Sequence, residues 1–596
     1  MSRDAKNSQR AQAAKQRKDA ERAALPQPVE GQFFDIDSVP PALLLEYVQK
    51  AGGQRAFARK HKVKRSTLQT RLYTLRDEVF RHQPPPEPRK IGRRGVKHVF
   101  FLGAAQDGTQ LHDSFLTNLE AYAAWISGQG VPAEILVSGF TYNKSLFEDH
   151  SAEVGEFEPR ILPYMVNERI RIADQVDFCA EMNSLPTKVH PLSGFESYTR
   201  ERWGVFPHAK VQLKSVPTMA EKKAKQNMTT GALTLPNYIQ KDAGIKASFH
   251  HVIGCVIVEV MEDGRFFCRH IIAEEDGSFQ DLTRRVEYGE VTPGQRVKSV
   301  SAGDTHTAVI DPVVCETLYG FRPVETTRTG QTRDWEKVAT ISMIGDLRPR
   351  YVFQHDVSDF RVRNHHEIKD PHTQFEHHVN GAEKVEDELR EVAMFLGAVG
   401  EELKVHTGDG EVVVVDSNHD RALVRWLKEA DYRKDPANAE FFLQCQAQVY
   451  ASIRCGDKRF SVFEWSMRQL VEETLFDLDN VIFLREDDSF MLDEVENGNH
   501  GHRGPNGARG TARGFVSIGP KVTIGHIHSP EIMDGVYVNG TSSLLRLDYI
   551  VGPSSWAHAH TAQLENGKRQ LITQQGDLYR MFLPADMEAY MEFETP

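Results

Sequence analysis

The run VVVVDSNHDRA, residues 412–422, carries a β-branched stretch straight into Asn418, His419 and Asp420. Consecutive valines suit a strand buried on both faces, and polar groups just past such a strand stand where α/β sheets gather ligand-binding side chains. The pattern recurs along the C-terminal half. GDTHTA (303–308) supplies Asp304 and His306, and YVFQHDVSDF (351–360) supplies Asp356. NGNHGHRG (497–504) supplies His500, and TIGHIHSP (523–530) supplies His526 and His528. Four of these five clusters adjoin an apolar β-type run. Bridging carboxylates, imidazoles and one amide oxygen are the ligand types of a two-metal site. Each residue alone reads more simply: Asp304 or Asp356 as a turn or cap, Asn418 as a turn, the histidines as surface or core residues. Only the ordered set lifts them above those readings.

Around this centre the chain divides by composition. At 596 residues it is too long for one core, and three or four units are expected. With 40% hydrophobic and 26% charged residues, no long apolar span and no apolar N-terminal segment, it reads as a cytoplasmic protein with no membrane partner. Six scattered cysteines without a CxxC pair read as reduced thiols. The net charge of −12 conceals a Lys/Arg-rich front, so a polyanion held at one end is the expectation and a solubilising tail the plainer alternative.

Residues 1–34 read as a basic disordered arm and 35–82 as a small all-α helix-turn-helix domain. PALLLEYVQKAGG, QRAFARKHK and KRSTLQTRLYTLRDEVF have its rhythm, with Ser66 placed to cap the third helix. Ser66, Thr67, Gln69 and Arg71 would then meet the major groove, with Lys64 and Arg65 along the backbone. A helical docking domain is the bland reading. QPPPEPRKIGRRG (83–95) is a linker. Residues 96–285 turn α/β, with strands in KHVFFLGAAQDGT and AEILVSGF, a helix in FLTNLEAYAAWI and a hairpin within 251–279; GAAQDGT lacks the GK[ST] of a phosphate loop. Residues 286–596 carry the metal-ligand series, and EKVEDELREVAMFLGAVGEEL within them is an amphipathic helix.

DxH, a strand-end Asp, NHD, an isolated His and GHxH, in that order, resemble the calcineurin-like metallophosphoesterase superfamily over the last half of the chain. Together with the basic front and the stretch 525–560, they resemble its nuclease branch, the large DNA-degrading metallophosphoesterases of tailed bacteriophages. The resemblance implies an α/β fold whose catalytic part is a β-sandwich flanked by helices, preceded by the α/β and helix-turn-helix domains. It implies one metal held by Asp304, His306 and His528, a second by Asn418, His500 and His526, and Asp356 bridging. Two cations about 3.5–4 Å apart can clamp a phosphate and activate water. His419 would protonate the leaving oxygen and Asp420 orient it. Mn²⁺ is the expected metal, with Mg²⁺ the alternative.

Two positions depart from the family: His355 and Ser417 replace the usual glycines, crowding loops that normally run tight. Asp346 in MIGDLRPR competes with Asp356 as the bridge, and His502 competes with His500. Asp356 is preferred because a strand leads into it and Asp359 follows at the spacing of the family's second acid; His500 is preferred because Gly501 follows. Arg363, Arg503 and Arg509, the latter two in a Gly-rich loop, suit DNA phosphates, against an ordinary surface-loop reading. Trp556, His558 and His560 in SSWAHAH could stack near the site or be structural. The resulting expectation is a metal-dependent DNase, phage-encoded and acting on host DNA in the host cytoplasm. It would be homo-oligomeric, and some control of its activity is expected, with the sequence leaving open whether a regulatory protein supplies it. The alternatives are a phosphatase or phosphodiesterase on a small or protein substrate, and a DNA-binding regulator with a structural phosphoesterase domain.

Overall fold

The computed structural model describes residues 25–51, 54–68, 70–72, 88–92, 95–141, 156–325, 333–338, 341–364, 370–547 and 550–594. Two compact units emerge, one comprising residues 1–87 and 144–149, the other 88–143 and 150–596. Most of the expected basic arm, the end of the third N-terminal helix, Gln69, and most of the linker lie outside the described residues.

In the smaller unit, helix α1 (Pro41–Lys50) opens with proline in its first turn, where a missing N–H costs nothing. It buries Leu43, Leu44, Tyr47 and Val48. Helix α2 (Gln54–Lys60) buries Phe57 and Ala58, and Phe34 meets Tyr47 and Phe57 edge-on at 6.0 Å. Lys62 turns the chain with a left-handed φ of 51°. The next helix already includes Arg65, so Ser66 lies inside its first turn and does not cap it. Leu68 and Leu72 close the core, while Lys64, Arg65, Ser66 and Thr67 are exposed. Arg71 Nε lies 3.2 Å from the exposed carboxylate of Asp37.

The larger unit is α/β. Strands β1 (His98–Gln106) and β2 (Ala133–Phe140) run parallel around helix α3 (Asp113–Gly128), and β3 (Gly254–Val260) and β4 (Phe266–Ile272) add the hairpin antiparallel to β1. Phe100, Leu102, Val256 and Val258 on one face of this sheet share a core with Ile170, Phe178, Val205, Met228 and Tyr537. These belong to a second, eleven-stranded sheet that runs from residues 89–90 to 491–492. Its strand 212–216 pairs with 531–533, so the expected boundary at residue 285 cuts across one continuous sheet.

The third sheet positions the metal-ligand series. Strands β5 (Val297–Ser301), β6 (Tyr351–Gln354), β7 (Glu411–Val414) and β8 (Val481–Phe483) are mutually parallel in the order β8-β7-β6-β5. Strands β9 (Ala559–Leu564) and β10 (Arg569–Thr573) extend it antiparallel beyond β5. Alternation divides the valines: Val352, Val412 and Val414 pack with Leu389, Val392, Leu396 and Val399 of helix α4 (Val385–Thr407), while Phe353 and Val413 meet Leu492 of the long sheet and Phe490 just before its strand. Helix α4 places Glu386, Asp387 and Glu388 in its first turn and Lys404 and His406 in its last, matching its dipole. Every parallel strand thus delivers its following loop to the same edge.

Candidate metal centre

Asp304 and His306 follow β5, Asp356 follows β6, Asn418 and His419 follow β7, and His526 and His528 follow strand 521–524 of the long sheet. They converge in one buried centre. Asp304, His306, Asp356 and His528 offer ligand atoms within 4.8 Å of one another, and so do Asp356, His500 and His526. Asp356 belongs to both groups, its Oδ2 lying 3.1 Å from His500 Nε2 and 3.8 Å from His306 Nε2. His528 Nε2 lies 2.9 Å from Asp304 Oδ2, and His500 Nε2 lies 3.2 Å from Asn418 Oδ1.

The competing residues fall elsewhere. Asp346 is buried against Tyr579 and Arg580. His502 has no hydrogen-bond partner at either ring nitrogen and lies beside the centre, its ring 5.5 Å from that of His500. Gly501 takes a φ of 108°, which lets His500 turn inward.

The backbone is strained where the ligands sit. His306, Asp356, His526 and His528 all have left-handed φ between 44° and 70°. Such conformations cost of order 1–3 kcal/mol each and cluster at functional sites. Gly525 is fixed by contact: a Cβ there would come within 2.1 Å of Asp304 Oδ1. His355 and Ser417, which stand where the expected pattern has glycines, have a local explanation. His355 is buried with Nε2 3.1 Å from Ser301 Oγ. Ser417 Oγ bonds Asp420 Oδ2 at 2.8 Å. Neither has a positive φ; the turn is taken by Asp356 itself.

Asp420 differs from its expected role. Its carboxylate accepts from Ser358 N at 2.9 Å and from Ser417 Oγ, tying two loops together, and burial pushes its pKa up to about 7. The acid that faces His419 is Asp359, whose Oδ1 lies 3.6 Å from His419 Nδ1 and 3.2 Å from His306 Nδ1. Its only sequence signal is the DxxD spacing from Asp356.

Burial opposes the charges at the centre, and the carboxylates and imidazoles answer by favouring each other's charged forms. Burial raises the Asp356 carboxyl, but His500 and His419 more than offset this and hold it well below its ordinary value. Burial lowers His500, yet Asp356 and Asp304 bring it up to about 9. His306 reaches about 9 against burial through Asp359. Burial drives His526 down to about 4.

The donor set fits divalent cations. Oxygen and imidazole donors converge without a thiolate, and Asp304 Oδ1, His500 Nδ1 and His528 Nδ1 are buried without hydrogen-bond partners. A cavity of about 400 Å³, lined by His500, His502, Arg503 and the Gly-rich loop through Gly507, opens beside the centre. Arg503 is exposed and paired with Glu486, and Arg509 is exposed. Arg363 is committed elsewhere: Asp435 holds it through two bonds of 2.7 and 2.8 Å.

Fold and site together define an α/β protein with a buried histidine–carboxylate centre, able to hold metal ions, at the C-terminal edge of a parallel sheet. The chain is 34% identical to Protein A1 of Escherichia phage T5 over 482 residues, which cover 79% of this chain and 81% of that protein. It belongs to the family of Protein A1. No family model matches the chain, and no solved structure matches it.

Proposed function

We propose that the protein is a phage-encoded deoxyribonuclease of the calcineurin-like metallophosphoesterase kind, acting in the host cytoplasm. Its two opposed sheets would be that superfamily's sandwich. One observation carries this reading: the seven ligand candidates, dispersed between Asp304 and His528, converge in one buried centre that shares Asp356. Kinship with a bacteriophage protein supports the phage origin.

Asp304, His306 and His528 would hold one cation, Asn418, His500 and His526 another, and Asp356 both. Two bound divalent cations, Mn²⁺ before Mg²⁺, supply charge neutralisation for a phosphodiester and activation of water. Asp359 orients His306 through its carboxylate, 3.2 Å from His306 Nδ1, and His419 through its backbone carbonyl, 3.4 Å from His419 Nδ1. His419 Nε2 then faces the reaction and gives its proton to the departing sugar oxygen. Arg503 guides the strand along the 400 Å³ cavity it lines, with the exposed Arg509 on the same Gly-rich loop, while the exposed face of Lys64, Arg65, Ser66 and Thr67 retains the polymer.

The test is incubation of the purified protein with linear and circular plasmid DNA plus Mn²⁺, Mg²⁺ or chelator. Metal-dependent loss of both forms, absent in His419→Ala, establishes an endonuclease. Loss of linear DNA alone makes it an exonuclease. Intact DNA with turnover of an aryl phosphate overturns the nuclease reading in favour of a phosphatase.

A further inference from the structure

The helix Ala439–Cys455 packs by one face and shows the other to solvent. Phe441, Phe442 and Cys445 are buried in the core, where Phe442 meets Trp426 edge-on at 4.9 Å and stacks on Tyr432 at 5.6 Å. The opposite face carries Glu440, Leu443, Ala447, Tyr450 and Arg454, all exposed. Their spacing alternates three and four residues, the repeat that lines up side chains along one seam between two helices. Two of them are large and apolar in body, and Leu443 is 46% and Tyr450 63% exposed.

A solvated helix face normally carries charged side chains along its length. Here residues 441–453 include none, and charge stands only at the two ends, Glu440 in the first turn and Arg454 in the last. The helix dipole favours both placements but gives no reason for the uncharged seam between them. Among the described residues, neither Glu440 nor Arg454 is held in an ion pair. The seam is also self-complementary. Turned end over end about Ala447, the helix sets Glu440 against Arg454 of a second copy, Leu443 against Ala451 and Gln444 against Tyr450, and each pairing occurs twice. Acid thus meets base, a large side chain meets a small one, and an amide meets a phenol. Ala447, small and on the axis, lets the two backbones approach.

We propose that this face is where two copies of the chain associate, as an antiparallel helix pair with Ala447 on the two-fold axis. The proposal stands whether or not the protein cuts DNA. From Glu440 to Arg454 the seam is about 21 Å long at the helical rise, which places it at the small end of specific interfaces. The pairing is therefore an equilibrium that shifts with protein concentration.

The experiment is sedimentation velocity on the full chain between about 1 and 100 μM, the range that a seam of this size calls for. The wild type should gain mass as concentration rises. Glu440→Arg and Arg454→Glu each turn both end pairs into like charges, and each should raise the dissociation constant at least about tenfold. Both positions are exposed, so each variant should keep the native circular dichroism. Mixing the two variants restores opposite charges at both ends of the seam, and the mixture should associate as the wild type does. A helix face with a merely structural role, or one that takes a different partner, would show no such rescue. A monomer at every concentration, single variants that associate like the wild type, or a mixture as dissociated as its parts would overturn the proposal.

Discussion

At the scale of single residues, the centre separates groups that would hold metal from groups that would hold a proton. His419 is outside the two ligand groups that share Asp356 but lies in a third possible group with His306 and Asp359, its ring 4.7 Å from that of His306. His419→Ala should therefore lower kcat by about 10²–10⁴ while bound manganese, measured by elemental analysis, stays at the wild-type ratio. Loss of metal along with activity would make His419 a ligand and sink this assignment. Asp359 acts through other residues. Asp359→Asn should cost roughly 10–100-fold in activity or metal affinity, the usual toll of removing an orienting carboxylate. Because its carboxylate supports the ligand candidate His306, the variant should weaken metal binding where His419→Ala does not. The convergence of the series could be anticipated in the sequence because four of its five clusters stand just past an apolar strand. The partner of His419 could not: chain proximity favoured Asp420, whereas the fold turns that carboxylate toward Ser358 and brings Asp359 across from another loop.

At the scale of elements, β6, β7 and α4 could be read from period and composition, since a buried parallel strand and an amphipathic helix imprint themselves locally. The eleven-stranded sheet could not. Its strands are two to five residues long, and the pairing of 212–214 with 531–533 joins segments that no local pattern connects. The role of the C-terminal helix Pro584–Glu594 was equally hidden. It delivers Asp586, which is buried against Arg284 at 2.6 Å and Arg580 at 2.7 Å. Burial raises the Asp586 carboxyl, but the two guanidinium groups outweigh this and hold it well below its ordinary value. Removing one member of such a cluster leaves buried charge uncompensated, at a cost of about 3–5 kcal/mol. Asp586→Ala should show that loss in urea unfolding at pH 7. A change under about 1 kcal/mol, within the range of ordinary surface substitutions, would mean that water reaches the arginines.

At the scale of the whole molecule, the net charge of −12 and the basic front imply a division of labour between the two units. Deleting residues 1–87 should leave cleavage of short oligonucleotides intact but weaken retention on long DNA, with a shallower fall of affinity as salt rises. An unchanged salt slope would remove the N-terminal unit from DNA binding. Acid response is also a property of the whole larger unit. His208 and His270 are buried and His251 partly so, and burial drives each down to about 4; backbone carbonyls partly oppose this in all three, and Lys210 adds to it at His208. In the unfolded chain each titrates near its ordinary value of 6.5, so above that pH neither state binds the proton and the native state keeps its full advantage. Below 6.5 the unfolded chain gains protons that the native interior refuses, and stability falls until the native rings titrate near 4. The slope is about 1.4 kcal/mol per pH unit for each ring fully titrating in the unfolded state alone. Urea unfolding in chelator should therefore show stability dropping by several kcal/mol between pH 6.5 and 4. His270→Gln, which keeps a donor for the Thr229 carbonyl that His270 meets at 2.7 Å, should flatten that slope by about one proton. A wild-type profile level across this window would mean that these imidazoles take up protons in the folded protein.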